Sequence, residues 1–76
     1  MEELKWITSA RYLNDYNIEL SFNDGVIKTV DLRNHLDGNV FKELKKIDKF
    51  KDFYVSDWTI TWKNGADMSP EFLYNL

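Results

Sequence analysis

The sequence predicts an α+β domain: an antiparallel sheet of about five short strands, one amphipathic helix on a face, and a short C-terminal helical turn. Three observations predict it. Residues 16–22 alternate apolar and polar and run into Asn23-Asp24-Gly25. Phe41, Leu44 and Ile47 recur at i, i+3 and i+6. Ser69-Pro70 pairs a helix cap with proline at the first helical position.

Residues 4–13 read as the first strand, with Trp6, Thr8, Ala10 and Tyr12 alternating against Lys5, Ser9 and Arg11. Ile7 and Leu13 break the alternation, so both faces are expected to be partly covered. Asn14-Asp15 marks a turn. In the second strand Tyr16, Ile18, Leu20 and Phe22 share one face, and Asn17, Glu19 and Ser21 the other. Asp24-Gly25 is a hairpin signal, because glycine accepts the positive φ that the turn needs. Residues 26–32 return as the third strand. Residues 33–38 are polar and turn-rich. Residues 40–47 read as a helix capped by Asn39, and Phe50 and Phe53 anchor its exit. Residues 53–55 and 58–62 read as two further strands joined around Ser56-Asp57. Lys63-Asn64-Gly65 is a second tight turn, and residues 70–74 form the closing helical turn. Glu71 lies in its first turn, where a negative charge suits the helix dipole.

Seventy-six residues make room for a single domain spanning 1–76 and one core. A domain this small buries only about 60% of the surface its unfolded chain exposes. The chain has no cysteine and one histidine, so neither a disulfide nor a thiolate zinc site can supply the missing stability. Three Trp, four Tyr and five Phe, or self-association, are left to do so. The start, Met1-Glu2-Glu3-Leu4-Lys5, is charged and lacks the apolar stretch of a secretory signal. Apolar runs are far too short to span a membrane. A cytoplasmic location is therefore expected. The net charge of −3 argues mildly against a general nucleic-acid binder.

The segment 62–74, Trp-Lys-Asn-Gly-Ala-Asp-Met-Ser-Pro-Glu-Phe-Leu-Tyr, resembles the end of the bacterial family designated domain of unknown function 2442. That family closes on an aromatic-ending strand, an Asn-Gly turn, Ala-Asp and a proline-led helical turn. Tyr16, Leu20, Phe22, Gly25 and Val30-Asp31-Leu32 resemble its strand–turn–strand signature, and Phe41, Leu44 and Phe50 fit its central helix. The resemblance implies a small α+β fold, often a lone reading frame. It implies further that some members are fused to a helix-turn-helix domain, and that others are encoded beside a second small protein in a toxin–antitoxin-like pair. It supplies no catalytic residues. The chain stops at Leu76, which leaves no room for the fused DNA-binding module.

Lys42, Lys45, Lys46 and Lys49 recur at i, i+3, i+4 and i+7 and would share one face of a continuous helix. That face is either simply solvated or a patch for an acidic protein or nucleic acid. Trp58, Ile60 and Trp62 share one face of the last strand, as core or as an aromatic edge for a dimer or a docked peptide. Asp67 either holds the Asn64-Gly65 turn to the closing helix through backbone N–H groups, or is a surface acid for a partner's Arg or Lys. Asp31 is expected to cap the turn at Arg33. Asp31, His35 and Asp37 have a spacing compatible with a metal site, or with a general base oriented by a carboxylate. A concave pocket holding His35 with one of those acids would be needed for it. Phosphate-binding loops, nucleophile elbows and cysteine nucleophiles are absent from the sequence. The expected function is protein interaction without a cofactor or catalysis, in the regulatory or antitoxin-like half of a two-gene pair. A homodimer is expected beside an unidentified protein partner. The alternative is a nucleic-acid-associated regulator acting through the lysine face.

Overall fold

The computed structural model describes residues 4–76; Met1, Glu2 and Glu3, which open the charged start argued above, lie outside the described residues. The α+β class and the five strands stand. The order is β1 (Ile7–Asn14), β2 (Asn17–Phe22), β3 (Ile27–Asp31), 3-10 turns at Arg33–His35 and Lys42–Lys45, α1 (Ile47–Phe50), β4 (Phe53–Ser56), β5 (Thr59–Trp62) and α2 (Pro70–Tyr74). The strands divide into an antiparallel β1-β2-β3 sheet and a β4-β5 hairpin.

The division has a local cause. β1 carries two register shifts against β2, at Thr8 and Leu13. A bulge bends and twists its strand, so β1 cannot offer β4 a straight ladder. Among the described residues the two sheets share one backbone bond, Ile7 N–H to the Trp58 carbonyl at 2.8 Å. The bulge at Thr8 also explains why alternation fails there. It lets Ile7, buried, lie on the same side as the half-buried Ala10 and Tyr12.

The two glycine turns are built alike. Phe22 and Trp62 each donate to the carbonyl four residues on, at 2.8 Å, and Gly25 and Gly65 donate back to Phe22 and Trp62, at 3.0 Å. Asp24 Oδ1 and Asn64 Oδ1 each accept the N–H two residues ahead, at 3.0 Å. Both glycines have φ near +90°, at +88° and +91°, where an L side chain is strained. Ser69 Oγ caps α2 by accepting the Phe72 N–H at 3.1 Å, with Pro70 first in the helix.

The central helix is not continuous. Lys42–Lys45 is a 3-10 turn, Lys46 is extended (φ −80°, ψ 120°), and α1 is one short turn after it. Leu44 and Phe50 are buried and Phe41 and Ile47 half-buried, a repeat of three residues. Three is the 3-10 period, and an α-helix would rotate such a row off the core. Asn39 makes no cap; the turn begins at Phe41 with no side-chain cap bond.

The core runs between the sheets. Ile18, Leu20 and Phe22 of β2 share one buried cluster with Val30, Leu32, Leu36, Leu44, Phe50, Ile60, Trp62 and Leu73. Phe50 links the two sheets. Its ring meets Tyr12 at 6.3 Å, Tyr16 at 5.2 Å and Trp62 at 5.9 Å, and its carbonyl accepts the buried Trp62 Nε1–H at 2.7 Å. Tyr16 donates its hydroxyl to the Lys45 carbonyl, tying the 3-10 turn to the first hairpin.

The chain end is held by polar contacts. Lys28 Nζ donates to the carbonyls of Tyr74 and Leu76 at 2.8 and 2.7 Å. Tyr74 donates its hydroxyl to Asp24 Oδ2 at 2.7 Å, and Lys5 Nζ pairs with the same oxygen at 3.1 Å. The Tyr74 hydroxyl first, then the Val26 N–H and Lys5, hold the Asp24 carboxyl down from 3.8 to about 2. The same bond pushes the Tyr74 hydroxyl up.

Three substitutions test these contacts. Phe50→Ala should cost about 3–5 kcal/mol, a large part of the roughly 4–11 kcal/mol expected for a chain of this length. Trp62→Phe, which orphans the Phe50 carbonyl, should cost about 1–3 kcal/mol; urea unfolding measures both. Because the Asp24 carboxyl titrates lower in the folded chain, its contribution is full above about pH 4 and fades as pH falls from 3.8 towards 2. Asp24→Asn should therefore lower the thermal midpoint at pH 7, and the gap to the wild type should close near pH 2.

Candidate functional site

Four lysines, two tryptophans and one aspartate are the side chains the sequence offers for partner binding, and the fold sorts them. Lys42, Lys45, Lys46 and Lys49 are all exposed, but the break at Lys46 removes the common helical face. Lys45 pairs with Asp37 at 3.3 Å and Lys49 with Glu43 at 2.9 Å. Lys49, with help from Asn64, holds the Glu43 carboxyl below its ordinary value, and Glu43 in turn raises Lys49. The Lys49–Glu43 pair and Lys63–Asp52 (2.9 Å) line a cleft of about 100 Å³ together with Leu44 and Trp62. Half of the lysine set is thus engaged within the chain.

Trp62 is not a surface residue. It is 1% exposed, with its indole N–H bonded to Phe50. Trp58 does not share its face, because it lies in the β4–β5 turn rather than in β5. Asp57 and Trp58 both have positive φ, +50° and +72°. A two-residue hairpin with both φ positive ordinarily carries glycine second. Here the position holds a tryptophan that is 68% exposed and meets Trp6 at 5.9 Å. The aromatic edge expected from Trp58 and Trp62 together is therefore replaced by a strained, solvent-facing Trp58 at a hairpin tip.

Asp67 comes to lie in company. Its backbone bridges to Thr61, so residues 66–68 run beside β5. The turn is held by Asn64 and Ser69, not by the Asp67 carboxylate. Asp67 lines an open groove of about 380 Å³ with Asn34, His35, Asp37, Phe41, Met68, Ser69 and Phe72. Thr59 donates its hydroxyl to the Met68 carbonyl and fixes that wall from below. His35 meets the Phe72 ring edge-on at 5.2 Å. Asp31 is elsewhere: its Oδ1 accepts the Arg33 N–H at 3.0 Å, the expected cap.

The groove does bring His35 together with an acid, Asp37, and adds Asp67. Among the described residues no hydrogen bond joins the His35 ring to either carboxylate, and no cluster of three His, Asp or Glu side chains could hold a metal ion. A general base needs its orienting partner within hydrogen-bond reach. What the groove offers is three apolar side chains, Phe41, Met68 and Phe72, beside two acids, Asp37 and Asp67, with no lysine or arginine in its lining.

A family model described as protein of unknown function, DUF2442, matches residues 7–76, nearly the whole chain. The chain belongs to the DUF2442 family. Neither curated proteins nor solved structures give a match. Segment 62–74, which carries the resemblance most closely, builds one wall of this DUF2442 domain's groove through Asp67, Met68, Ser69 and Phe72. Sequence reasoning missed Phe72, although a signal was present. Phe72 and Leu73 are adjacent in a helix of five residues, so only one can face the core. Leu73 is buried, and Phe72 is left half-open to the groove. No helix of the described residues is long and apolar enough to cross a membrane.

The tryptophans offer a direct check of this geometry. Trp58→Phe should remove much of the acrylamide-quenchable emission, whereas the emission of Trp62 should become quenchable only on unfolding.

Proposed function

We propose that this DUF2442 domain is a protein-interaction module whose groove takes up a basic side chain of a partner protein. One observation supports the reading above others: Asp37 and Asp67 share a groove with Phe41, Met68 and Phe72, and no lysine or arginine lines it. An aliphatic stem on such apolar side chains with its charge beside the acids is how Lys and Arg bury themselves at interfaces. Lys45, which pairs with Asp37, is no obstacle. Both partners are largely exposed, and an exposed pair is worth at most about 1 kcal/mol. The regulatory or antitoxin-like half of a two-gene pair is the form of this reading that the family resemblance implies, with the cytoplasm as its setting. The nucleic-acid reading loses support with the broken lysine face. Binding is favoured over catalysis because, among the described residues, no hydrogen bond joins the His35 ring to Asp37 or Asp67 to orient it as a base.

Co-purification from the native host, quantified by mass spectrometry, tests it. Asp67→Lys and Phe72→Ser should each reduce recovery of a specific partner about tenfold or more, while the thermal midpoint stays near wild type. Lys42→Gln serves as the control and should change nothing. Equal recovery with all three variants refutes the groove as the binding surface.

A further inference from the structure

The outer edges of the two sheets are not equally covered. β1 is bulged twice and packs on β4. β5 has the Asp67 segment beside it. β3 has β2 on one side, and among the described residues no strand or backbone bond occupies its other edge.

The register shows what that edge presents. Leu32 N–H bonds to the Tyr16 carbonyl at 3.0 Å and Phe22 N–H to the Val26 carbonyl at 2.8 Å, at the two ends of the β2–β3 ladder. Antiparallel pairs alternate between bonded and non-bonded. Val30 and Lys28 therefore exchange bonds with Ile18 and Leu20, and Ile27, Thr29 and Asp31 turn their N–H and C=O groups outward. Natural edges are guarded by lysine, proline, bulges or a covering loop. β3 has no proline and no register shift against β2. Its one lysine, Lys28, is drawn under to the carbonyls of Tyr74 and Leu76 and does not guard the edge. Ile27 is 64% exposed there.

We propose that β3 pairs antiparallel with β3 of a second copy of this chain, making a homodimer with a continuous sheet. This goes beyond the groove and does not depend on it. The edge is self-complementary in one register. With Thr29 opposite Thr29 of the second copy, Ile27 faces Asp31 in both directions, and about six backbone hydrogen bonds form. Opposed threonines are a favourable pair, and no like charges face each other. A slip by two residues one way carries Ile27 past the strand end to Arg33 and leaves about four backbone bonds; a slip the other way sets Lys28 against Lys28 and runs the pairing into the Asp24-Gly25 turn. A two-fold interface of this kind is the commonest symmetric assembly.

Sedimentation velocity from micromolar to millimolar concentration, with amide hydrogen exchange at both ends, tests the proposal on the full chain. The expected result is a concentration-dependent dimer, with the Ile27, Thr29 and Asp31 amides gaining protection as it forms and the Lys28 and Val30 amides unchanged. Ile27→Asp, which sets a like charge opposite Asp31 of the second copy, should weaken association about tenfold or more without lowering the monomer's thermal midpoint. Thr29→Pro should do the same, because the N–H it removes makes no bond within the monomer. A monomer at every concentration overturns the proposal and leaves the edge to a foreign strand. A dimer indifferent to both substitutions overturns it too, and places the interface elsewhere, such as at the Trp58 tip.

Discussion

The contact between Phe50 and Trp62 carries the assembly of the two sheets. No continuous ladder joins them, so side chains must. Phe50 stands in a single helical turn, and its ring reaches Tyr12 and Tyr16 of the first sheet and Trp62 of the second. The bond from the Trp62 indole to the Phe50 carbonyl ends α1 and satisfies two buried polar groups with each other. A chain without cysteine has few other means of fixing two small sheets. Tyr12, Tyr16, Phe50 and Trp62 are spent here, and Trp6, Trp58 and Phe72 are left at the surface. Burial of Trp62 and exposure of Trp58 are two sides of that one use.

Much of the fold was legible because it depends on local chemistry. Asp24-Gly25 and Asn64-Gly65 name their own turns, Ser69-Pro70 names a helix start, and Asp31 caps Arg33 as its place at a strand end suggests. The alternation of Ile18, Leu20 and Phe22 marks a half-buried strand without ambiguity. The illegible parts depend on other things. An i, i+3, i+6 row is compatible with both α and 3-10 geometry, and only the burial of Phe50 at i+9 favours three over 3.6. The bulge at Thr8 changes which side Ile7 faces, and its cause lies in pairing with β2 rather than in the residues of β1. Trp58 reads as a strand residue because tryptophan is a poor choice for positive φ; sequence preference pointed away from the turn it occupies.

The candidate site was legible only in fragments. Asp67 and the His35–Asp37 pair are each recognisable as polar residues in turns, but they are about thirty residues apart, and nothing local says that they meet. Their meeting follows from two separate constraints. The Trp62–Ala66 turn lays residues 66–68 along β5, and the cap at Asp31 and Arg33 turns the chain from β3 towards α2. The groove is therefore a product of topology. Its acidic character rests on Asp37 and Asp67; Lys49 and Lys63 line the other cleft in pairs with Glu43 and Asp52, and Lys45 reaches Asp37 only as an exposed pair.

Polar staples and the open edge are physically linked. A lysine in the edge strand of a small sheet normally projects into solvent and repels an incoming strand. In this chain the last helix is only five residues long, and its terminal carbonyls need partners. Lys28 supplies them, and Asp24 holds Tyr74 alongside. The ammonium that would have guarded β3 is committed to the C-terminus. Fixing the chain end this way uncovers the edge, so the edge gains its availability for pairing from the same contact that stabilises the monomer. Removing the lysine would free the helix end and leave the edge backbone as open as before, so a guard must be placed at an outward-facing position such as Ile27.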